Sequence, residues 1–232
     1  MVAQSRTICT TLSRMVAQSN AGDTILFYFI GHGNRFVASY ANNTGHDECM
    51  LCGDGSSIYD FQLKEIAEYV PPGVNFTVVA DCCHSSGLIE GLNEVIGNNT
   101  RAPHYTNKRA PKSNFIKATR APSDYPLGVL ISAAQSDEKA MTRFDPTFNE
   151  KGSCLTQAIL HVITQKQGVV TNLDLVNQVS RFFKERNVGQ NPGLYCDVIE
   201  SNSYFLGLKG LEGRVKNKDK EKEKLGKGKE KM

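Results

Sequence analysis

At 232 residues the chain is long enough for one α/β domain with a core of its own, plus a tail. Its 40% hydrophobic and 22% charged residues are ordinary for a soluble globular protein. The formal charge of +3 is unevenly placed: residues 214–232 hold nine Lys/Arg and four Asp/Glu, leaving 18 basic against 20 acidic residues over 1–213, so the body carries no nucleic-acid footprint.

In chain order, Ile8, Leu12, Met15 and Val16 stand at helical spacing within 7–19, and Asn20-Ala21-Gly22 ends that helix. The run TILFYFI at 24–30 is β-branched and aromatic throughout, and predicts a strand buried on both faces. A polar, Gly/Asn-rich loop is expected from 31 to about 57. Leu63, Ile66, Ala67 and Val70 make a second helical stripe, stopped by Pro71-Pro72-Gly73. FTVVA at 76–80 is the next buried strand. Strand, helix, strand in this order implies a right-handed crossover and a parallel sheet.

Residues 91–127 hold four prolines and no apolar period, and predict a surface linker. A short strand at 129–132 follows, then helices over about 153–164 and 172–186, the second with Asn172 as its cap and Val176, Val179 and Phe183 buried. Residues 204–206 read as a last short strand. The Lys/Glu-rich residues 214–232 cannot bury anything and are expected to be disordered or a lone charged helix. The pentapeptide MVAQS occurs at 1–5 and 15–19, and nothing physical explains the second copy.

Seven cysteines without a repeating framework, two of them adjacent, point to a reducing compartment and hence the cytoplasm. The first 30 residues show no leader pattern, and the apolar run at 25–30 is too short for a bilayer, so no membrane partner is expected. Sequons at Asn42, Asn75 and Asn98 carry no weight without secretion.

Chemistry concentrates in two loops, each following a buried strand at its carboxyl end, where open parallel sheets build sites. The first is Gly31-His32-Gly33 and the second Asp81-Cys82-Cys83-His84-Ser85-Ser86-Gly87. A thiol must lose its proton before attacking a carbonyl, and a nearby imidazole can take it. His32 and Cys83 stand 51 residues apart, near the roughly fifty of caspase signatures. Cys49 and Cys52 have C-x-x-C spacing, for which Cys82 and His84 could complete a zinc set; catalysis is the better reading.

YFIGHG and ADCCHSSGLIE resemble the two catalytic motifs of metacaspases, caspase-fold cysteine peptidases whose usual forms are YSGHG and D-x-C-H-S-G. GLIE, VPPG, GVLISAAQSDEKA and QNPGLYC are similar to the plant class called type II, over about residues 7–208. The resemblance implies Cys83 as nucleophile, His32 as base and the N–H groups of Gly33 and Cys83 as oxyanion hole. It also implies Asp81 as a wall of an S1 pocket taking Arg or Lys at P1 of protein or peptide substrates. His84 belongs to the motif scaffold and has no assigned catalytic role.

The departures are specific. The family begins with a further strand, loop and helix carrying a second S1 aspartate, and supplies two strands beside the equivalent of TILFYFI. Without them that strand becomes a sheet edge open to self-association. Ile30 replaces the usual serine and crowds S1, and Ser86 stands where glycine is usual. The calcium loops read Ala41-Asn42-Asn43 and Tyr59-Asp60-Phe61-Gln62, leaving Asp60 almost alone, so no cofactor is expected and the family calcium site is degraded. The sequence therefore predicts an α/β, caspase-like, mostly parallel sheet of about four strands flanked by helices and lacking the first strands of the family fold. It forms one domain over 1–213, divided into 7–90, the linker and 128–213. The function is cysteine endopeptidase activity after Arg or Lys; the alternative is a catalytically impaired homologue that acts by binding.

Overall fold

The computed structural model describes residues 3–37, 44–98, 126–145 and 150–208. In chain order the elements are α1 (Ser5–Gln18), β1 (Thr24–Ile30), β2 (His32–Val37), β3 (His46–Leu51), β4 (Ser57–Tyr59), α2 (Asp60–Ala67) and β5 (Asn75–Asp81). There follow β6 (Glu94–Ile96), β7 (Val129–Ser132), β8 (Thr142–Asp145), β9 (Glu150–Ser153), α3 (Cys154–Gln165), α4 (Asn172–Glu185), β10 (Gly193–Tyr195) and α5 (Val198–Ser201).

The main sheet has the order β1-β5-β7-β10-β6. β1, β5 and β7 run parallel, β10 is antiparallel to β7, and β6 is antiparallel to β10. It is an α/β, caspase-like architecture with five strands among the described residues, where about four were expected. The two-residue alternation of a strand divides the core. Phe76, Val78 and Ala80 of β5 pack on the side of Cys9, Leu12 and Val16 of α1 and Leu63, Ile66 and Ala67 of α2. Val79, Val129 and Ile131 pack on the other side, under Leu155, Ala158 and Ile159 of α3 and Val176, Val179 and Phe183 of α4. Each of these helices buries one stripe at three- and four-residue spacing, as the sequence predicts.

Several expectations are corrected. TILFYFI is a strand and stands at the end of the sheet, as expected, but it is not buried on both faces: Ile25 is buried while Leu26 is 39% and Ile30 60% exposed. A strand with one neighbour and a partly covered face cannot be sealed by its own composition. The expected loop from 31 to 57 is a second sheet, β2-β3-β4, antiparallel throughout. Its polar strands show no clean alternation, because β3 buries Glu48 as fully as Cys49 and Met50. The linker reading fails at its start, where β6 joins the main sheet beside β10; residues 99–125 and 209–232, with the rest of the linker and the tail, lie outside the described residues. The cap of α4 is Thr171, whose Oγ1 accepts from the Asp174 N–H at 3.1 Å, a contact worth about 1 kcal/mol. Asn172 is instead buried in the first turn, its Nδ2 donating to the Glu200 carbonyl at 2.9 Å. Residues 204–206 form no strand: Tyr204 makes a single bridge to Thr171 before a short 3₁₀ turn at Phe205–Gly207.

Candidate active site

β1 and β5 are parallel neighbours in the register Ile30 to Asp81, so the residues that follow leave the sheet side by side. The Gly31 N–H donates to the Asp81 carbonyl at 3.3 Å. His32, exposed, opens β2, and Cys83, partly exposed, enters the turn after β5. Gly33 joins them: a methyl group there would overlap the Cys83 carbonyl oxygen and lie 3.0 Å from Cys82 Sγ. Only glycine lets the backbone beside His32 rest against that of Cys83.

The two adjacent cysteines have opposite surroundings. Cys82 is fully buried in the core on the α1 and α2 side, and burial pushes its thiol well above the ordinary range, with the charge of Asp81 adding to the effect. Cys83 is the partly exposed one of the two. The next residue, His84, has φ +52°, in the left-handed region that costs a non-glycine residue energy. Its N–H donates to the Glu138 carbonyl at 3.1 Å, and its Nδ1 lies 2.7 Å from the Ser136 carbonyl. Ser85 Oγ accepts from the N–H groups of Ala133 and Ala134 at 3.2 and 3.3 Å. The turn after Cys83 is thus pinned to the loop after β7.

Asp81 is 3% exposed, and its Oδ2 accepts from Ser153 Oγ, from Thr156 Oγ1 at 2.6 Å and from the Thr156 N–H at 3.2 Å. Burial raises its pKa, and these donors oppose the shift. Among the described residues no basic side chain forms an ion pair with it. Ile30, its register partner, flanks it on the same face.

The acidic surroundings of Asp60 were not legible in the sequence, and Asp60 is not alone. It is 1% exposed and pushed up to about 8 by burial, then by the charges of Glu48, Asp47 and Glu90. Glu48 is fully buried and pushed up to about 7 by burial. Its Oε1 accepts from Ser136 Oγ at 2.6 Å and its Oε2 from Thr44 Oγ1 at 2.9 Å. Calcium is the ion the family resemblance brings with it, and these carboxyls are its nearest ligands. They do not fit it as placed: each oxygen of Glu48 is engaged by a hydroxyl, and Glu90 is paired with Lys64 at 3.2 Å. Among the described residues no group of three or more His, Cys, Asp or Glu side chains is placed to hold a metal ion, the Cys49, Cys52, Cys82 and His84 set included.

A family model described as metacaspase, peptidase C14 domain, matches residues 1–91. Metacaspase-6 of Arabidopsis thaliana is 33% identical over 308 residues, covering 87% of this chain and 84% of its own. Metacaspase-4 of the same plant is 35% identical over 98 residues, 41% of this chain and 23% of that one. The chain spans about a quarter of the length of this and two further curated relatives. A Trypanosoma brucei brucei relative called inactive metacaspase-4 is 26% identical over 86% of this chain and 57% of its own. A crystal structure of a Geobacter sulfurreducens protein superposes with a TM-score of 0.55 over 87% of this chain and 77% of that one, at 18% identity, a likeness of fold. On the motif loops carried by adjacent strand ends and on the identity shared along most of both chains with a full-length relative, this chain belongs to the metacaspase family.

Proposed function

We propose that the protein is a cysteine endopeptidase that cleaves protein or peptide substrates after Arg or Lys, with Cys83 as nucleophile and His32 as its base. The observation that carries this reading is the packing of Gly33 on the Cys83 main chain, which holds the two motif loops together. In the reaction His32 takes the Cys83 proton, the thiolate adds to the scissile carbonyl, and the oxyanion is received by the N–H groups of Gly33 and Cys83. Collapse of that intermediate expels the amine, protonated by His32, and leaves an acyl-enzyme that water then hydrolyses. Asp81 supports a cationic P1 residue, since a buried carboxylate with no basic partner among the described residues is complemented by a guanidinium or ammonium. No calcium step is included. Seven free cysteines support a reducing compartment such as the cytoplasm; among the described residues no helix is long and apolar enough to cross a membrane.

The test is covalent labelling of the full chain by a peptidyl Arg chloromethylketone, read by intact mass and peptide mapping. Labelling at Cys83 that is competed by Arg or Lys peptides supports the reading, and an unreactive Cys83 defeats it. The second reading is a catalytically impaired homologue that acts by binding. It is favoured by Ile30, which stands beside Asp81 on β1, the strand that ends the sheet among the described residues. That edge is the surface on which a second copy of the chain would pair.

A further inference from the structure

The geometry points to Glu48 and Ser136 as positioning residues that clamp the small sheet carrying His32 onto the turn carrying Cys83. The inference rests on the reading of His32 and Cys83 as base and nucleophile, and assigns a role to two residues outside both motifs.

His32 belongs to β2, whose ladder partner is β3 of the small sheet and not a strand of the main sheet, so its position depends on how that small sheet is seated. In the β2–β3 register Gly33 pairs with Met50 and Arg35 with Glu48. Residues two apart share a face of a strand, so the face that meets Cys83 through Gly33 is the face on which Glu48 is buried. The far end of the Cys83 turn closes on the same carboxyl: a methyl group on Gly87 would overlap Glu48 Oε2.

Ser136 completes the link. Its Oγ donates to Glu48 Oε1 at 2.6 Å and accepts from Arg35 Nη1 at 3.4 Å. Its carbonyl is engaged by Nδ1 of His84, the residue after Cys83, at 2.7 Å. One residue therefore bonds the His-bearing sheet through its side chain and the Cys-bearing turn through its backbone. A fully buried carboxyl is a poor way to gain stability, since an apolar or amide side chain would fill the space with less desolvation. What it supplies is direction: two acceptor oxygens at fixed positions, one to Ser136 and one to Thr44. Displacing either reacting group by about 1 Å can cost a cysteine–histidine pair on the order of 100-fold in rate.

The test compares wild type, Glu48→Ala, Ser136→Ala, Glu48→Gln and the Glu48→Ala/Ser136→Ala double variant as full chains. The rate and half-saturation of Cys83 labelling by the Arg chloromethylketone are measured beside alkylation by iodoacetamide, which needs an accessible thiolate but no bound carbonyl. Each alanine variant is expected to lower the maximal labelling rate about 10-fold to 100-fold with half-saturation near wild type, and to slow iodoacetamide alkylation less, since that reaction loses only the thiolate His32 supplies and needs no oxyanion hole. The double variant should be no slower than the slower single one, and Glu48→Gln, whose amide oxygen still accepts from Ser136, should recover most of the rate. Wild-type rates in both alanine variants, multiplying effects in the double variant, or a raised half-saturation with an unchanged maximal rate would overturn the clamp. If Glu48→Ala does not fold, Ser136→Ala, which deletes one oxygen, decides alone. A wild-type chain unlabelled at Cys83 would overturn the peptidase reading and the clamp with it, whereas a labelled wild type with unaffected variants overturns the clamp only.

Discussion

Gly33 lies so close to Cys83 that the Cys83 carbonyl fills the space a side chain at position 33 would need. The contact makes the spacing of the two motifs a matter of backbone packing. Gly33→Ala is expected to push β2 away and to reduce Cys83 labelling by about 100-fold, the scale of a 1 Å displacement. Gly189→Ala, whose added methyl would meet only Met141 Sδ at 3.9 Å, is the control and should leave labelling unchanged. Equal behaviour of the two variants would refute the packing argument.

The burial of Cys82 separates two residues that any thiol reagent would otherwise confuse. Cys83→Ala should abolish labelling, while Cys82→Ala should keep it and lose about 1–2 kcal/mol of stability through the small cavity left in the core. Peptide mapping after labelling, with thermal unfolding of both variants, checks the two halves. A label on Cys82 would reverse the assignment.

Asp60 and Glu48 make stability depend on pH in a definite direction. Their folded values of about 8 and about 7 lie above the ordinary carboxylate range near 4. Between about pH 4 and 8 the folded chain keeps protons that the unfolded chain releases. Their contribution is therefore full below about pH 4 and is lost as pH rises through the folded values. Each pH unit across such a window costs about 1.4 kcal/mol per group. Unfolding midpoints should fall from pH 5 to pH 8, and fall less in Asp60→Asn. Parallel curves for variant and wild type would show that Asp60 is ionised in the folded protein.

Calcium should have little effect. With Glu48 held by two hydroxyls and Glu90 by Lys64, millimolar calcium is expected to leave the Cys83 labelling rate within about twofold. A rise of tenfold or more, abolished in Asp60→Asn, would mean that the carboxyls rearrange around the ion.

The edge of β1 should drive self-association. The strand holds no charge or proline, and Leu26 and Ile30 are exposed on one face beside an edge that pairs with no other strand among the described residues. The full chain is expected to sediment as a dimer or larger species, and Leu26→Lys with Ile30→Lys should shift it toward monomer. A monodisperse wild-type monomer would remove the edge as an association surface.

The sequence by itself determined whatever depends on local periodicity. Apolar stripes at helical spacing located α1, α2, α3 and α4, and the continuous runs of β1 and β5 marked parallel strands whose carboxyl ends carry His32 and Cys83. The motifs alone were enough to name the family, because two short loops with fixed chemistry remain readable at low overall identity. Tertiary structure decided everything set by neighbours distant in the chain. The β2-β3-β4 sheet is held by pairing and by a buried carboxyl, so it shows no apolar alternation to read. β6 and β10 have three residues each, too few for a period, and exist because they complete the same sheet. Asp60 stands alone in the sequence yet lies among Glu48, Asp47 and Glu90 in space, and Cys82 differs from Cys83 because one is buried in the core and the other is partly exposed. Burial and electrostatic coupling belong to contacts across the fold, and neither is written into any local stretch of the chain.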